Sequence, residues 1–267
     1  MARVSKAVST VVKGGANHQQ LATIDQELSG EVANIKNQIS APTGNRIKID
    51  PKGVFILPDG TDLGNEIQIV VVDFYNRHFF YSQAYNPNAQ TSPDCYAIGR
   101  EINTLVPEAD SPHVQHSDCR TCPMNAFGSG TNSIGKACQN RFWLAVLLLD
   151  PENPDAHNAS DAPLYMLDLS PSNRKPFESA VATVARALNG PPIKAILTVS
   201  AENVGTYAKV TFFDPIANPH YATHFTRRAE SLDLLTRKPD FAAMAARSPT
   251  PRGRAAAPAR RNAAPKR

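Results

Sequence analysis

The chain has 267 residues, 42% of them hydrophobic, and its longest apolar run, Phe142 to Leu149, is eight residues long. That is far short of the roughly 20 residues a bilayer-spanning helix needs, so no membrane role is expected and a soluble protein with a sizeable core is. The net charge of +4 belongs to one end: seven of the 28 basic residues follow Ala246 with no acid among them, leaving 21 against 24 acidic residues elsewhere.

Residues 1–17 are small and polar and read as a flexible arm. They hold no sustained apolar stretch of the secretory type, so a reducing, cytoplasmic location is expected rather than an oxidising compartment. Over residues 18–41, Leu21, Ile24, Leu28, Val32, Ile35 and Ile39 recur at steps of three and four, which predicts an amphipathic helix ended by Pro42. Its apolar stripe can pack on the chain's own core, on a partner, or on a second copy of the chain.

From Arg46 the pattern changes to strands and turns, opening a core domain predicted over residues 42–246. Val54 to Leu57 precedes the turn Pro58-Asp59-Gly60. The segments Glu66 to Tyr75 and His78 to Tyr85 read as a hairpin turning at Asn76-Arg77. Prolines 87, 93, 107, 112 and 123 then break up a long irregular stretch. After it come strands at 142–149 and 164–169, and a helix with Phe177, Val181, Val184 and Leu188 on its inner face. Strands at 193–200 and 207–214 follow, with a last helix within 219–246. Residues 247–267 are Pro/Ala/Arg-rich and read as a disordered basic tail. A β-rich α+β fold follows, and an OB-like Greek-key barrel with additions suits this order of elements.

The irregular stretch, about residues 93–141, carries the chain's only cysteines: Cys95, Cys119, Cys122 and Cys138. Cys119-Arg120-Thr121-Cys122 has the spacing of a metal knuckle, in which a tight turn aims two thiolates at one point and two distant cysteines complete a tetrahedral shell. A structural Zn2+ would also explain how so long a loop stays ordered. Two disulfides, a redox pair and plain core thiols are the competing readings. His113 and His116 offer a Cys3His variant.

The run Cys119-Arg-Thr-Cys122-Pro123-Met-Asn125-Ala-Phe127-Gly128-Ser129, with Gly135-Lys136-Ala137-Cys138-Gln-Asn140-Arg141, resembles a bacteriophage family whose pattern is CxxCPxNxFGS…GKxCxNxR. The likeness continues at Leu57-Pro-Asp-Gly60, Val70 to Phe74, Pro93 to Ala97 and Leu169-Ser-Pro171, so it spans roughly residues 50 to 215. That resemblance implies a zinc-containing, OB-fold-like single-stranded DNA-binding protein acting in replication or recombination within an infected bacterial host cell. It places Cys95 in the ligand set and adds phage replication proteins as candidate partners. Well-known single-stranded DNA-binding proteins end in an acidic recruiting tail, whereas this chain ends in a basic one.

Sequence-tolerant binding of a single strand needs exposed aromatic faces beside cations. Tyr75, Arg77, Phe80 and Tyr85 supply both in the predicted hairpin, where alternation puts His78 and Phe80 on one side and Phe79 and Tyr81 on the other. Arg100, Arg120, Lys136 and Arg141 flank the cysteine loop. Arg252, Arg254, Arg260 and Arg261 in the tail suit non-specific phosphate contact. No phosphate loop, GxSxG or HExxH occurs, and nothing in the spacing of Asp73, Asp94, Asp110 and Asp118 demands Mg2+, so no enzyme is expected. The alternative function is a zinc-stabilised protein-interaction or transcription-regulating factor.

Overall fold

The computed structural model describes residues 45–83, 92–150, 152–153, 155–205 and 207–241. The predicted arm, the helix over 18–41, Tyr85 and the basic tail lie outside them. Eight strands form one sheet: β1 (Arg46–Ile49), β2 (Phe55–Ile56), β3 (Glu66–Phe80), β4 (Cys95–Gly99), β5 (Gln139–Leu149), β6 (Leu164–Leu169), β7 (Ala195–Asn203) and β8 (Ala208–Ala217). Their order is β2-β1-β6-β5-β3-β7-β8, with β4 on β3. All pairings are antiparallel except β1 with β6. Helix α1 (Arg174–Leu188) connects β6 to β7, and α2 (Tyr221–Thr226) and α3 (Arg228–Thr236) follow β8. The fold is therefore mixed α+β and rich in sheet. No helix among the described residues is long and apolar enough to cross a membrane.

The axis of the sheet is β3, a single strand of 15 residues where the sequence predicts a hairpin. Asn76 and Arg77 do not turn, because both are buried in the ladder, opposite Phe142 and Arg141 of β5. The register of β3 slips between Val71 and Asp73, a β-bulge that changes which residues face which side. Before it, Ile67, Ile69 and Val71 point into the main core with Phe142, Leu144, Val146 and Phe177, and after it Phe74 joins the same core. Val70 and Val72 face the other side, with Leu164 and Ile193.

On its other edge β3 pairs with β7 over Glu66 to Val70 and with β4 over Asn76 to Phe80. Between those two partners the edge of β3 from Val71 to Tyr75 has no strand beside it among the described residues. The far ends of the sheet curl toward each other. Asn203 of β7 donates to the Pro51 carbonyl at 2.8 Å, and Gly53, with φ +86°, lies where a Cβ would sit 2.8 Å from the Ala201 carbonyl oxygen. Only glycine suits both the dihedral and that approach.

Helix α1 follows the sequence expectation closely: Phe177 and Val184 are buried, and Asn189 at φ 46° closes it in the left-handed conformation. The last predicted helix is two short ones. A further departure lies in the cysteine stretch, which is not irregular throughout, since Cys95 to Gly99 form β4.

Candidate functional site

Two cysteines are placed by the sheet and two by the loop. Cys95 opens β4 directly opposite Phe80, and Cys138 immediately precedes β5, whose Gln139 pairs with Phe79. The end of β3 thus brings the starts of its two neighbours together. Cys119 is held by its own N–H, which donates to the Leu105 carbonyl at 3.1 Å, and packs with Ala97 and Leu105. Pro123 to Asn125 form a turn of 3-10 helix after Cys122. All four are free thiols and line one cavity of about 20 Å³ with His78, Phe80, His116 and Met124. That volume holds a single water-sized occupant.

Among the described residues no three metal-type side chains are drawn onto a common centre. The thiols share a wall and not a coordination point. Burial pushes the Cys119 and Cys138 thiols up to about 12. The donor set itself, four soft thiols with room for one ion and no fifth cysteine, has the chemistry of a closed structural zinc site.

Asn125 organises the loop. Its Nδ2 donates to the Cys119 carbonyl at 2.7 Å, while its Oδ1 accepts from Lys136 Nζ at 3.1 Å and from Asn140 Nδ2 at 2.9 Å. The Cys138 N–H donates to the Met124 carbonyl at 2.8 Å. Ser129 Oγ donates to the Met124 and Ala126 carbonyls and accepts from the Ala137 N–H at 3.0 Å. The two halves of the CxxCPxNxFGS…GKxCxNxR pattern are therefore tied to each other by its own polar residues.

His78 is a cavity residue that the sequence reading did not assign. It is buried, neither ring nitrogen has a hydrogen-bond partner among the described residues, and burial holds its pKa down at about 4. Strand alternation was the signal available: His78 and Phe80 share a face, and Phe80 stands opposite Cys95. His116 also reaches the cavity wall.

The expected nucleic-acid residues separate into groups. Arg77 is fully buried and donates to the Leu235 and Arg237 carbonyls at 2.9 and 2.8 Å, with Trp143 beneath it at 3.7 Å. Burial pushes its pKa down to about 10. It clamps the end of α3 to the sheet and leaves the candidate binding surface. Phe80 is half-buried on the cysteine cavity. Arg141 is engaged by Asp168 at 2.8 Å, which also takes Arg46. Arg120 and Lys136 are exposed on the cysteine loop. Tyr85, Arg252, Arg254, Arg260 and Arg261 lie outside the described residues.

Tyr75 and Arg100 do come together. The Arg100 guanidinium lies 5.2 Å from the Tyr75 ring centroid, donates to its hydroxyl at 3.2 Å, and pairs with buried Asp73. They border the unpaired stretch of β3, where a cavity of about 180 Å³ is lined by Asp73, Phe74, Arg100, Pro191, Ile193 and Arg228. Beside it lie two further cation–ring pairs that the sequence reading missed. Arg228 stands 4.9 Å from the Phe225 ring, and Lys194 stands 5.6 Å from the Tyr221 ring. Both rings are exposed, at 55% and 45%. Tyr221, Phe225 and Arg228 follow one another at steps of four and three in the predicted last helix, but nothing in local spacing links them to residues 75, 100 and 194.

No protein-family model matches the chain, and neither do any curated protein or any solved structure.

Proposed function

We propose that this protein binds single-stranded DNA without turning it over, coating and protecting exposed strands during phage replication or recombination. The observation that carries this reading is the set of cation–ring pairs around the gap in the sheet, half-buried Tyr75 with Arg100, and exposed Phe225 and Tyr221 with Arg228 and Lys194. Rings stack on bases of any sequence, and cations beside them take the phosphates between. The OB-like barrel belongs to this reading, supported by the curl that seats Gly53 against Ala201.

The structural role falls to Zn2+ held by Cys95, Cys119, Cys122 and Cys138. The ion would supply crosslinking and thiolate charge neutralisation, while the chain's own Asn125, Ser129 and Asn140 orient the loop that carries the thiols. Four thiol ligands leave no open position for a reacting group.

The test is a variant carrying Arg100→Gln and Arg228→Gln, titrated with labelled single-stranded DNA beside the natural sequence at two salt concentrations. The reading requires weaker binding and a salt slope shallower by about 1.4 for two lost phosphate contacts. Unchanged affinity and slope would contradict it. The runner-up, a protein-interaction or transcription-regulating factor, draws on β8, the last strand in the sheet order, where Phe213 and Ile216 are exposed.

A further inference from the structure

Phe127 and Ile134 are 83% and 75% exposed, more than the other large apolar side chains of the described residues. Burying apolar side chains of this size is favourable, so a chain that holds them in water forgoes that gain. They are not held loosely. The Gly128 N–H donates to the Gly135 carbonyl at 2.6 Å, which closes the excursion and sets Phe127-Gly128 beside Gly135-Lys136. Turns from Ser133 to Gly130 and from Ile134 to Thr131, at 3.0 and 3.2 Å, shape its tip. Ser129 fixes its base against Met124, Ala126 and Ala137. Gly128, at φ +90°, makes the turn after Phe127 that a larger residue rarely adopts.

One cation stands beside this tip and another lies on the same cysteine loop. Lys136 is exposed and anchored on Asn125, and Arg120 has a side chain 65% exposed with Asp118 at 3.8 Å as its ion-pair partner. An aromatic ring carried into water by a hydrogen-bonded loop, with a lysine beside it, suits a planar base with an adjoining phosphate.

We infer that the tip of the cysteine loop is a second nucleobase site, with Phe127 stacking on an unpaired base, Ile134 packing beside it, and Lys136 and Arg120 meeting the adjoining phosphates. This site rests on the single-strand reading above and extends it to a surface separate from the cation–ring pairs. It also gives the cysteine cavity a functional task, because the same hydrogen bonds that order the thiol loop hold the ring outward.

The experiment uses the full chain, a Phe127→Ala variant and a Phe127→Trp variant, each titrated with labelled oligodeoxythymidine and with an abasic strand of equal length. Phe127→Ala should bind the thymidine strand about 5- to 150-fold more weakly, the range for one lost base stack. Binding of the abasic strand and the melting temperature should stay unchanged. Tryptophan fluorescence of Phe127→Trp should be quenched by the thymidine strand and not by the abasic one. Natural-sequence binding to DNA together with unaltered Phe127→Ala affinity, equal losses on both strands, or no quenching would overturn the site while leaving the single-strand reading standing. Failure of the natural sequence to bind either strand would overturn both.

Discussion

Asn140 Nδ2 donates to Asn125 Oδ1 at 2.9 Å, joining the residue three after Cys122 to the residue two after Cys138. The same oxygen takes Lys136, and the amide nitrogen reaches back to the Cys119 carbonyl. One side chain therefore fixes the relative positions of the turn carrying Cys119 and Cys122 and the strand start carrying Cys138. Alanine at Asn125 removes three hydrogen bonds at once.

Asn125→Ala should destabilise the protein by about 1–3 kcal/mol, the range for leaving buried partners unpaired. Chemical denaturation gives the stability, and zinc release to a chelator should accelerate in parallel. A variant as stable and as slow to lose metal as the natural protein would remove Asn125 from its organising role.

Each chain should hold one zinc ion. Replacing Cys122 with Ser should abolish stoichiometric zinc by metal analysis and lower the melting temperature by more than about 5 °C, a loss beyond about 1–2 kcal/mol for a domain of this size. A folded, zinc-free natural protein with an unchanged melting curve in chelator would contradict a structural metal.

Arg77→Met should lower stability by about 1–3 kcal/mol by stranding the Leu235 and Arg237 carbonyls, without reducing the DNA affinity of the folded fraction. Sequence placed Arg77 at a turn beside DNA because Asn-Arg between aromatic segments resembles a hairpin. The ladder shows why that failed: β3 continues to Phe80, and the packing that buries Arg77 comes from α3, more than 150 positions later. Strands at 142–149 and 164–169 and the helix inner face at Phe177 and Val184 were legible because their periodicity is local. That the four cysteines lie on one loop region was legible from spacing and motif, and they line one cavity without converging on a common centre among the described residues. The gap beside Val71 to Tyr75 and the pair Tyr221–Lys194 could not be read, since they depend on which segments the fold brings together, whereas Phe225–Arg228 is a three-residue step within the predicted last helix that was open to reading and was passed over.

His224 is buried, bonded to Asn218 at 3.0 Å and to Asn158 at 3.1 Å, with His157, His220 and Arg227 nearby. Burial, with His157 and His220 adding to it, lowers its pKa from 6.5 to about 4. The unfolded chain then binds more protons than the folded one between those values, so stability contributed by neutral His224 is present above pH 6.5 and is lost as pH falls toward 4. Urea unfolding between pH 7 and 4.5 should show a smaller decline for His224→Gln than for the natural protein. Equal declines would mean that His224 does not couple protonation to folding.

Deleting residues 247–267 removes seven cations and should weaken DNA binding while the core still melts cooperatively. Losing three phosphate contacts would reduce the single-strand salt slope by roughly 2. An identical slope would show that the tail does not touch DNA.

The most direct measurement is a fluorescence-anisotropy titration of the full natural chain with labelled single-stranded DNA, single-stranded RNA and duplex DNA of equal length, at two salt concentrations. The account predicts binding to single strands, little dependence on base sequence, weaker binding to duplex, and affinity that falls as salt rises. Equal or tighter binding to duplex, or no binding to any strand at low salt, would contradict it.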